Sequence, residues 1–200
     1  MRKPILYAIF LPISFIIFKL KTKPRYINKE VIPKKGRVLL AGNHKSKSDP
    51  FLIGSSTKRC VRGVGKAELF KNPVTKFIFK GLGVIPVNRQ IKDASVIPTC
   101  VKYLEKEELI GIMPEGTINR TDDIIMPFKS GVIRMSLEAK APIIPFAIIG
   151  ETDEKYKSLA KGVTIAFGEA YHPKTDNIEK EVKILEAKVI ELLKTGVNKK

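Results

Sequence analysis

Residues 37–50 read RVLLAGNHKSKSDP, and this stretch decides the type of fold. Its continuous apolar run, 38–41, is typical of a strand that is buried on both faces of a sheet. Its end, Asp49-Pro50, is typical of a helix start, because aspartate caps helix N-termini and proline is favoured at the first helical position. His44 would lie on the connecting loop, and we expect Asp49 to fold back towards it.

The same alternation of strand and helix continues along the chain. Apolar runs predict further strands at residues 60–64, 82–87, 109–113, 143–149 and 163–167. Helical patterns lie between or after them, at residues 50–56, 73–80, 94–106, 129–139 and 178–194. Strands that alternate with helices predict an α/β fold: a single domain with a mixed, mostly parallel sheet flanked by helices.

His44 and Asp49, five positions apart, form a candidate catalytic pair. The chain has only two histidines, so it offers few groups for proton transfer near neutral pH. A neutral imidazole can take a proton from an alcohol when a carboxylate holds its other ring nitrogen and stabilises the resulting imidazolium. The spacing alone leaves a second interpretation open, in which Asp49 only caps the following helix.

Length, composition and cysteine usage indicate one intracellular-type domain. Two hundred residues with 44% hydrophobic content suit a single globular domain with a sizeable core. Cys60 and Cys100 are far apart, and there is no Cys-x-x-Cys and no Cys/His cluster. This usage argues against structural zinc and a disulfide framework, and it fits a reducing compartment.

The chain carries a large positive charge. Thirty-seven basic residues against twenty acidic ones give +17 at pH 7. Such a field attracts nucleic acid, anionic lipid headgroups or phosphorylated substrates, although scattered lysines also fit a merely soluble surface. We find no zinc-finger spacing, no RNA-recognition aromatic motif and no obvious recognition helix, so no nucleic acid partner is expected.

The N-terminal segment favours a lipid partner. Residues 4–18 are almost entirely apolar, and as a helix they would span about 22 Å, short of the ~30 Å hydrocarbon core. Basic residues lie on both sides, and no small-residue cleavage site follows. We therefore expect residues 1–29 to enter one leaflet and place their lysines at anionic headgroups, ahead of a domain at residues 30–200. The alternative is an ordinary buried helix of the domain.

Four short blocks stand in order within residues 36–170: His44 to Asp49, residues 83–89 ending in Arg89, residues 114–117, and the apolar residues 141–146. Together they resemble the four blocks of the glycerolipid acyltransferases related to 1-acylglycerol-3-phosphate acyltransferase. His44 to Asp49 resembles the His-x-x-x-x-Asp signature of that family. Residues 66–70 and 128–131 are also similar to the family.

The resemblance implies an O-acyltransferase that moves a fatty acyl group from a thioester to a hydroxyl of a lysophospholipid. The implied acceptor is 1-acyl-sn-glycerol 3-phosphate, and the implied product is phosphatidic acid. His44 would be the general base, and Asp49 would orient it and stabilise its charge. The donor would be acyl carrier protein or coenzyme A carrying the acyl chain, with no permanently bound cofactor and no metal. The implied location is the cytoplasmic face of a membrane.

The resemblance also implies that Arg89, Glu115, Gly116 and Thr117 hold the acceptor. A guanidinium at the end of a strand can bind a phosphate through two hydrogen bonds, although Arg89 could be an ordinary surface arginine. Residues 115–117 follow the predicted strand 109–113, and open α/β sheets bind ligands at the carboxyl ends of their strands. The alternative for these three residues is a routine turn.

The third block departs from the family pattern at one important position. Ile118 stands where the family usually has arginine, and we expect Arg120, two positions on, to supply the missing cation. In the first block Lys47 replaces an aromatic residue. Both changes leave open another lysolipid or glycerol 3-phosphate as the acceptor. A non-catalytic, basic membrane- or nucleic-acid-binding protein is the alternative from another class.

Overall fold

A computed structural model of the chain describes residues 6–7, 20, 23–88, 93–150, 152–153, 158–159, 162–175 and 177–197. Within them a central sheet contains β1 (Arg25–Ile27), β2 (Val38–Gly42), β3 (Val61–Lys66), β4 (Ile85–Val87), β5 (Leu109–Ile112), β6 (Ile143–Ile149) and β9 (Thr164–Phe167). The strand order is β1-β9-β6-β2-β5-β3-β4. Two short strands, β7 (Thr152–Asp153) and β8 (Ser158–Leu159), pair with each other.

The sheet is mixed and mostly parallel, as the alternating pattern predicts. β2 lies between β5 and β6 and is parallel to both, and β3 is parallel to both β5 and β4. β6 and β9 form the antiparallel pair of this sheet. All five residues of β2 are buried, which fits its apolar sequence and its place in the middle of the sheet.

Helices cover the sheet on both faces. They are α1 (Asp49–Gly54), α2 (Pro73–Gly81), α3 (Val96–Glu105), α4 (Gly131–Ala139) and α5 (Ile178–Val197). Successive residues of β2 point to opposite faces. Leu39 therefore belongs to the core beneath α3, α4 and α5, whereas Leu40 belongs to a second core with residues of α1.

The strand predicted at residues 82–87 is shorter in the structure. α2 continues to Gly81, and the chain then closes a turn in which Gly83 N–H donates to Lys80 and Val84 N–H donates to Phe79. Gly83 adopts a φ of 75°, which is a left-handed conformation that glycine tolerates best. The first three residues of the predicted strand are therefore used to end the helix.

The predicted membrane segment lies mostly outside the described residues. Tyr7, which is described, is buried, and its hydroxyl accepts a hydrogen bond from Val61 N–H (2.8 Å) and donates one to Arg59 O (3.2 Å). At the other end of the segment, β1 pairs in parallel with β9. Among the described residues, no helix has both the length and the apolar character needed to cross a bilayer.

Parallel pairing places the carboxyl ends of β2, β3 and β5 at one edge of the sheet. The loops that follow these strands carry residues 43–48, 67–72 and 113–130. This edge, which we call the carboxyl edge, is where an open α/β sheet binds its ligands. It contains the first and third sequence blocks.

Candidate active site

The loop after β2 begins at a close contact between β2 and β6. At Gly42 a Cβ atom would collide with the carbonyl oxygen and ring of Phe146, so glycine lets the two strands approach closely. The buried Asn43 side chain then continues the hydrogen bonding to β6. Its amide nitrogen donates to Ile148 O (3.0 Å), and its oxygen accepts from Ile148 N–H (2.7 Å). The chain is thereby fixed immediately before His44.

His44 and Asp49 are in direct contact. His44 Nδ1 lies 2.7 Å from Asp49 Oδ2, and the same oxygen accepts hydrogen bonds from Lys45 N–H (2.7 Å) and Ser46 N–H (2.9 Å). The Asp49 side chain is fully buried, whereas 14% of the His44 side chain is exposed. Because a carboxylate only accepts, Nδ1 is the protonated ring nitrogen, and Nε2 is left to accept a proton.

The interpretation of Asp49 as only a helix cap is wrong. Asp49 lies within α1, and its bonds go back to the loop rather than forward to the first N–H groups of the helix. Ser48 occupies the cap position and makes no capping bond with its side chain. The loop therefore folds around the Asp49 carboxylate, as expected from its placement opposite His44.

Glu115 of the third block and Asn119, just beyond it, hold the backbone of His44 on both sides. Glu115 Oε1 accepts a hydrogen bond from His44 N–H (2.8 Å), and Asn119 N–H donates to His44 O (2.8 Å). The second oxygen of Glu115 accepts from Met126 N–H (3.2 Å). Burial raises the pKa of Glu115, and the two N–H donors oppose that rise. Both carboxylate oxygens therefore bond to the protein backbone.

The other residues predicted to hold an acceptor have different surroundings. Gly116 has a φ of 74°, whereas Thr117 and Arg120 are exposed. Neither of these two side chains bonds to another part of the described chain. Arg89 lies outside the described residues, so the structure brings together the first and third blocks but does not place the second-block arginine.

Lys129 is a cation that the sequence interpretation missed. If Gly116 had a Cβ atom, it would lie 2.9 Å from the Lys129 ammonium nitrogen. Lys129 N–H also donates to Pro114 O (2.9 Å), which fixes the backbone of residue 129 beside the third block. The Lys129 ammonium group makes no hydrogen bond or ion pair within the described parts of the chain. The sequence feature that could have indicated Lys129 is its place in residues 128–131, which resemble the family but were given no role.

The arrangement suits proton transfer by side chains. Across the residues that the structure describes, no three His, Cys, Asp or Glu side chains are grouped in a way that would hold a metal ion. A partly exposed imidazole with a buried carboxylate behind it can act as a general base. A nearby unpaired ammonium group can attract an anionic group on the molecule that supplies the proton.

Comparisons with known proteins identify the family of the chain. Residues 23–149, more than half of the chain, match the family model described as acyltransferase. The 1-acyl-sn-glycerol-3-phosphate acyltransferase of Bacillus subtilis is 28% identical over 158 residues, which are 78% of this chain and 78% of that protein. The enzyme of that name from Borreliella burgdorferi is 33% identical over 150 residues, 74% of this chain and 59% of that protein.

A solved structure shows the same fold. The crystal structure of the 1-acyl-sn-glycerophosphate (LPA) acyltransferase PlsC from Thermotoga maritima superposes with a TM-score of 0.76 at 19% identity. The superposition covers 94% of this chain and 79% of that one. Since the family model covers more than half of the chain, the chain belongs to the acyltransferase family.

Proposed function

We propose that the protein transfers a fatty acyl group from an acyl thioester to the free hydroxyl of 1-acyl-sn-glycerol 3-phosphate, which gives phosphatidic acid. The observation that carries this proposal is the 2.7 Å contact between His44 and the buried Asp49 at the carboxyl edge of the sheet. The names of the Bacillus subtilis and Borreliella burgdorferi relatives support the choice of acceptor.

The proposed chemistry needs one base and no acyl-enzyme. His44 Nε2 takes the proton of the acceptor hydroxyl while the oxygen attacks the thioester carbonyl carbon. The new C–O bond forms, the C–S bond breaks, and the imidazolium returns the proton to the departing thiolate. Asp49 remains ionised, holds Nδ1–H and stabilises the imidazolium in the interval.

The acceptor site is proposed at the third block. Thr117 offers an exposed hydroxyl, and Gly116 permits close approach of the backbone. Ile118 cannot bind a phosphate. We assign Lys129, beside Gly116, as a cation that binds the acceptor phosphate together with Arg89. Arg120 is the competing candidate for the role of Lys129. Glu115 contributes by holding His44 N–H, since both of its oxygens already bond to the backbone.

The remaining parts of the proposal concern the donor and the location. The acyl donor is carried by acyl carrier protein or coenzyme A, and a chain with a charge of +17 attracts either of these anionic carriers. No permanently bound cofactor is required. Residues 1–29 associate with the cytoplasmic face of a membrane and residues 30–200 carry the acyltransferase site, with β1 extending the sheet at the junction.

An assay of thioester release tests this function. Lysophosphatidic acid should stimulate release over an acceptor-free control, and glycerol 3-phosphate or a lysolipid with another headgroup should stimulate it less. If one of these other acceptors is preferred, the acceptor assignment is wrong and the departure at Ile118 gains importance.

The role of His44 is tested in the same assay. His44→Ala should lower turnover by ~10²–10⁴-fold, the usual loss of a general base. His172→Ala is the matched control, because His172 is the other histidine of the chain and is exposed. If His44→Ala retains more than about a third of normal turnover, His44 is not the base.

A further inference from the structure

Helix α2 exposes large apolar side chains to solvent. None of its nine residues is buried, and Val74 and Phe77 are 66% and 69% exposed. Residues three apart on a helix lie on the same face, so these two side chains form one apolar ridge. We call this ridge, together with Lys76 and Lys80 of the same helix, the α2 face. Neighbouring exposed apolar side chains, unlike ones scattered singly, often mark a contact surface.

The exposure belongs to a well-formed helix and not to a frayed end. Asn72 caps α2 by accepting hydrogen bonds from Val74 N–H (2.9 Å) and Thr75 N–H (3.4 Å), and Pro73 occupies the first helical position. On the opposite side, the ring of Phe79 packs against that of Phe70 at 5.9 Å. One side of the helix is therefore anchored, and Val74 and Phe77 point away from the anchor.

The charges around the α2 face are almost all positive. Lys76 and Lys80 lie on α2, and Lys66 and Lys71 precede it, with all four side chains exposed. Glu68 is the acidic residue of this stretch, so four lysines against one acid give residues 66–81 a net charge of +3. Apolar side chains flanked by lysines suit the boundary of an anionic bilayer, where lysine stems lie along the apolar layer and their ammonium groups reach the headgroups.

The place of α2 in the fold connects it to both the site and the N-terminal segment. α2 follows β3 after a short 3-10 helix, Ala67–Phe70, so it starts at the carboxyl edge, where His44 lies. At its other end, the Leu6 side chain occupies the space where a Cβ atom of Gly81 would stand. Leu6 belongs to the apolar run 4–18 that the sequence predicts to enter a leaflet.

We propose that the α2 face is a membrane contact in its own right, with Val74 and Phe77 inserted into an anionic bilayer and Lys76 and Lys80 at its headgroups. A convex helix that presents two protruding apolar side chains fits the deformable interior of a lipid layer. An acidic carrier protein would match the lysines but would need a groove for Val74 and Phe77. This inference concerns lipid binding and does not depend on turnover.

The chain contains no tryptophan, so a single introduced tryptophan reports its own surroundings. The test uses the full chain with Phe77→Trp and, as control, with Lys102→Trp. Lys102 is an exposed residue in the last turn of α3, which leads into the amino end of β5 and therefore lies at the opposite edge of the sheet. Vesicles contain phosphatidylglycerol and phosphatidylcholine, with or without bromine on the acyl chains.

We expect anionic vesicles to shift the emission of the Phe77→Trp protein to shorter wavelength and brominated acyl chains to quench it. The Lys102→Trp protein should show neither effect. If both proteins sediment with vesicles while the tryptophan at position 77 stays accessible to aqueous iodide, the N-terminal segment binds alone and the proposal is wrong. The proposal is also wrong if the emission responds to an acidic acyl carrier protein and not to vesicles.

Charge removal provides the second arm of the test. Each lysine near an anionic surface contributes to the binding free energy. The double substitution Lys76→Gln/Lys80→Gln should therefore weaken vesicle affinity by roughly 30-fold at low salt. Lys102→Gln/Lys106→Gln removes the same charge from the other edge and should weaken it by less than about threefold. Equal losses for the two pairs would mean that only the overall charge matters, and this would overturn the assignment of the α2 face.

Discussion

Asp49 concentrates three hydrogen bonds on one carboxylate oxygen. Oδ2 accepts from the His44 ring and from two backbone N–H groups of the loop, whereas Oδ1 is buried and makes no hydrogen bond to any residue that the structure describes. The carboxylate thus fixes the loop and the imidazole together. A substitution at this position must therefore be judged by activity and by folding separately.

Asp49→Asn should reduce turnover by up to about 10⁴-fold, the loss known for the aspartate of a catalytic triad when it becomes asparagine. The amide oxygen can still accept from the loop, but a neutral amide does not stabilise an imidazolium. The measurement is kcat together with the free energy of unfolding. Asp93→Asn is the control, because Asp93 also accepts from backbone N–H groups but contacts no histidine. Near-normal kcat in Asp49→Asn would leave Asp49 with a purely structural role.

The acceptor cation can be identified by comparing Lys129→Met with Arg120→Met. Loss of a charge-assisted hydrogen bond costs roughly 1.5–3 kcal/mol, on the order of 10- to 150-fold in acceptor affinity. We expect that rise in the KM for lysophosphatidic acid from Lys129→Met, because its ammonium group lies beside Gly116. Arg120→Met should change KM by less than about threefold.

A non-phosphorylated acceptor is the control for this comparison. With monoacylglycerol, Lys129→Met should leave KM close to that of the unsubstituted protein, since no phosphate is bound. If Arg120→Met raises KM and Lys129→Met does not, the expectation from the sequence is correct and our assignment of Lys129 is wrong.

At the scale of elements, Tyr7 joins the N-terminal segment to β3. Its buried hydroxyl pairs with Val61 N–H and Arg59 O. Tyr7→Phe leaves the Val61 donor unsatisfied, which costs about 1–3 kcal/mol when the group is buried. We expect that loss in the free energy of unfolding measured with denaturant.

Tyr103→Phe is the matched control for Tyr7→Phe. The Tyr103 ring packs against the Arg62 guanidinium, and its hydroxyl bonds to nothing within the described residues. Its removal should change the free energy of unfolding by no more than about 0.5 kcal/mol. Equal losses in the two variants would show that the Tyr7 hydrogen bonds add no stability.

The elements that the sequence predicts well are those with local signals. A run of adjacent apolar residues predicts β2, and the adjacent pair Asp49-Pro50 predicts the start of α1. Both elements are present in the structure. β1 was missed because it has only three residues and its partner, β9, is more than a hundred residues away. No window of sequence contains both strands.

The same limit applies to the site. The contact between His44 and Asp49 can be predicted from the sequence because the loop between them is short. The sequence cannot show that Glu115 bonds to His44 N–H across 71 residues, or that Lys129 lies beside Gly116. The first contact arises because β2 and β5 are neighbours in the sheet, and strand order is a property of the whole fold. The second arises because the long loop after β5 folds back on itself, with Lys129 N–H bonded to Pro114 O.

At the scale of the whole molecule, several weak acids are buried as neutral groups. Burial raises the pKa of Tyr7, Tyr26 and Tyr171, and it raises the pKa of the Cys100 thiol to about 12. In the unfolded chain these groups release their protons at lower pH. The folded state therefore binds more protons in the alkaline range, and its stability falls as pH rises there.

Cys100 isolates one part of this alkaline effect. Its thiol is fully buried, and its pKa rises from an ordinary 9.0 to about 12. Its contribution is fully present below pH 9 and is lost as pH rises towards 12. Between pH 8 and 10 that loss is about 1.4 kcal/mol, before the tyrosines of the unfolded chain ionise extensively.

Cys100→Ala removes the thiol and keeps the other titrating groups. The variant should be less stable at pH 8, because a cavity replaces the sulfur, but its free energy of unfolding should decline less steeply with pH. We therefore expect the difference between the two proteins to shrink by about 1.4 kcal/mol from pH 8 to pH 10 in denaturant titrations. Loss of lysine charge affects both proteins equally and cancels in the comparison. A difference that stays constant would mean that Cys100 ionises as readily in the folded state as in the unfolded one, and that water reaches the core between α3 and the sheet.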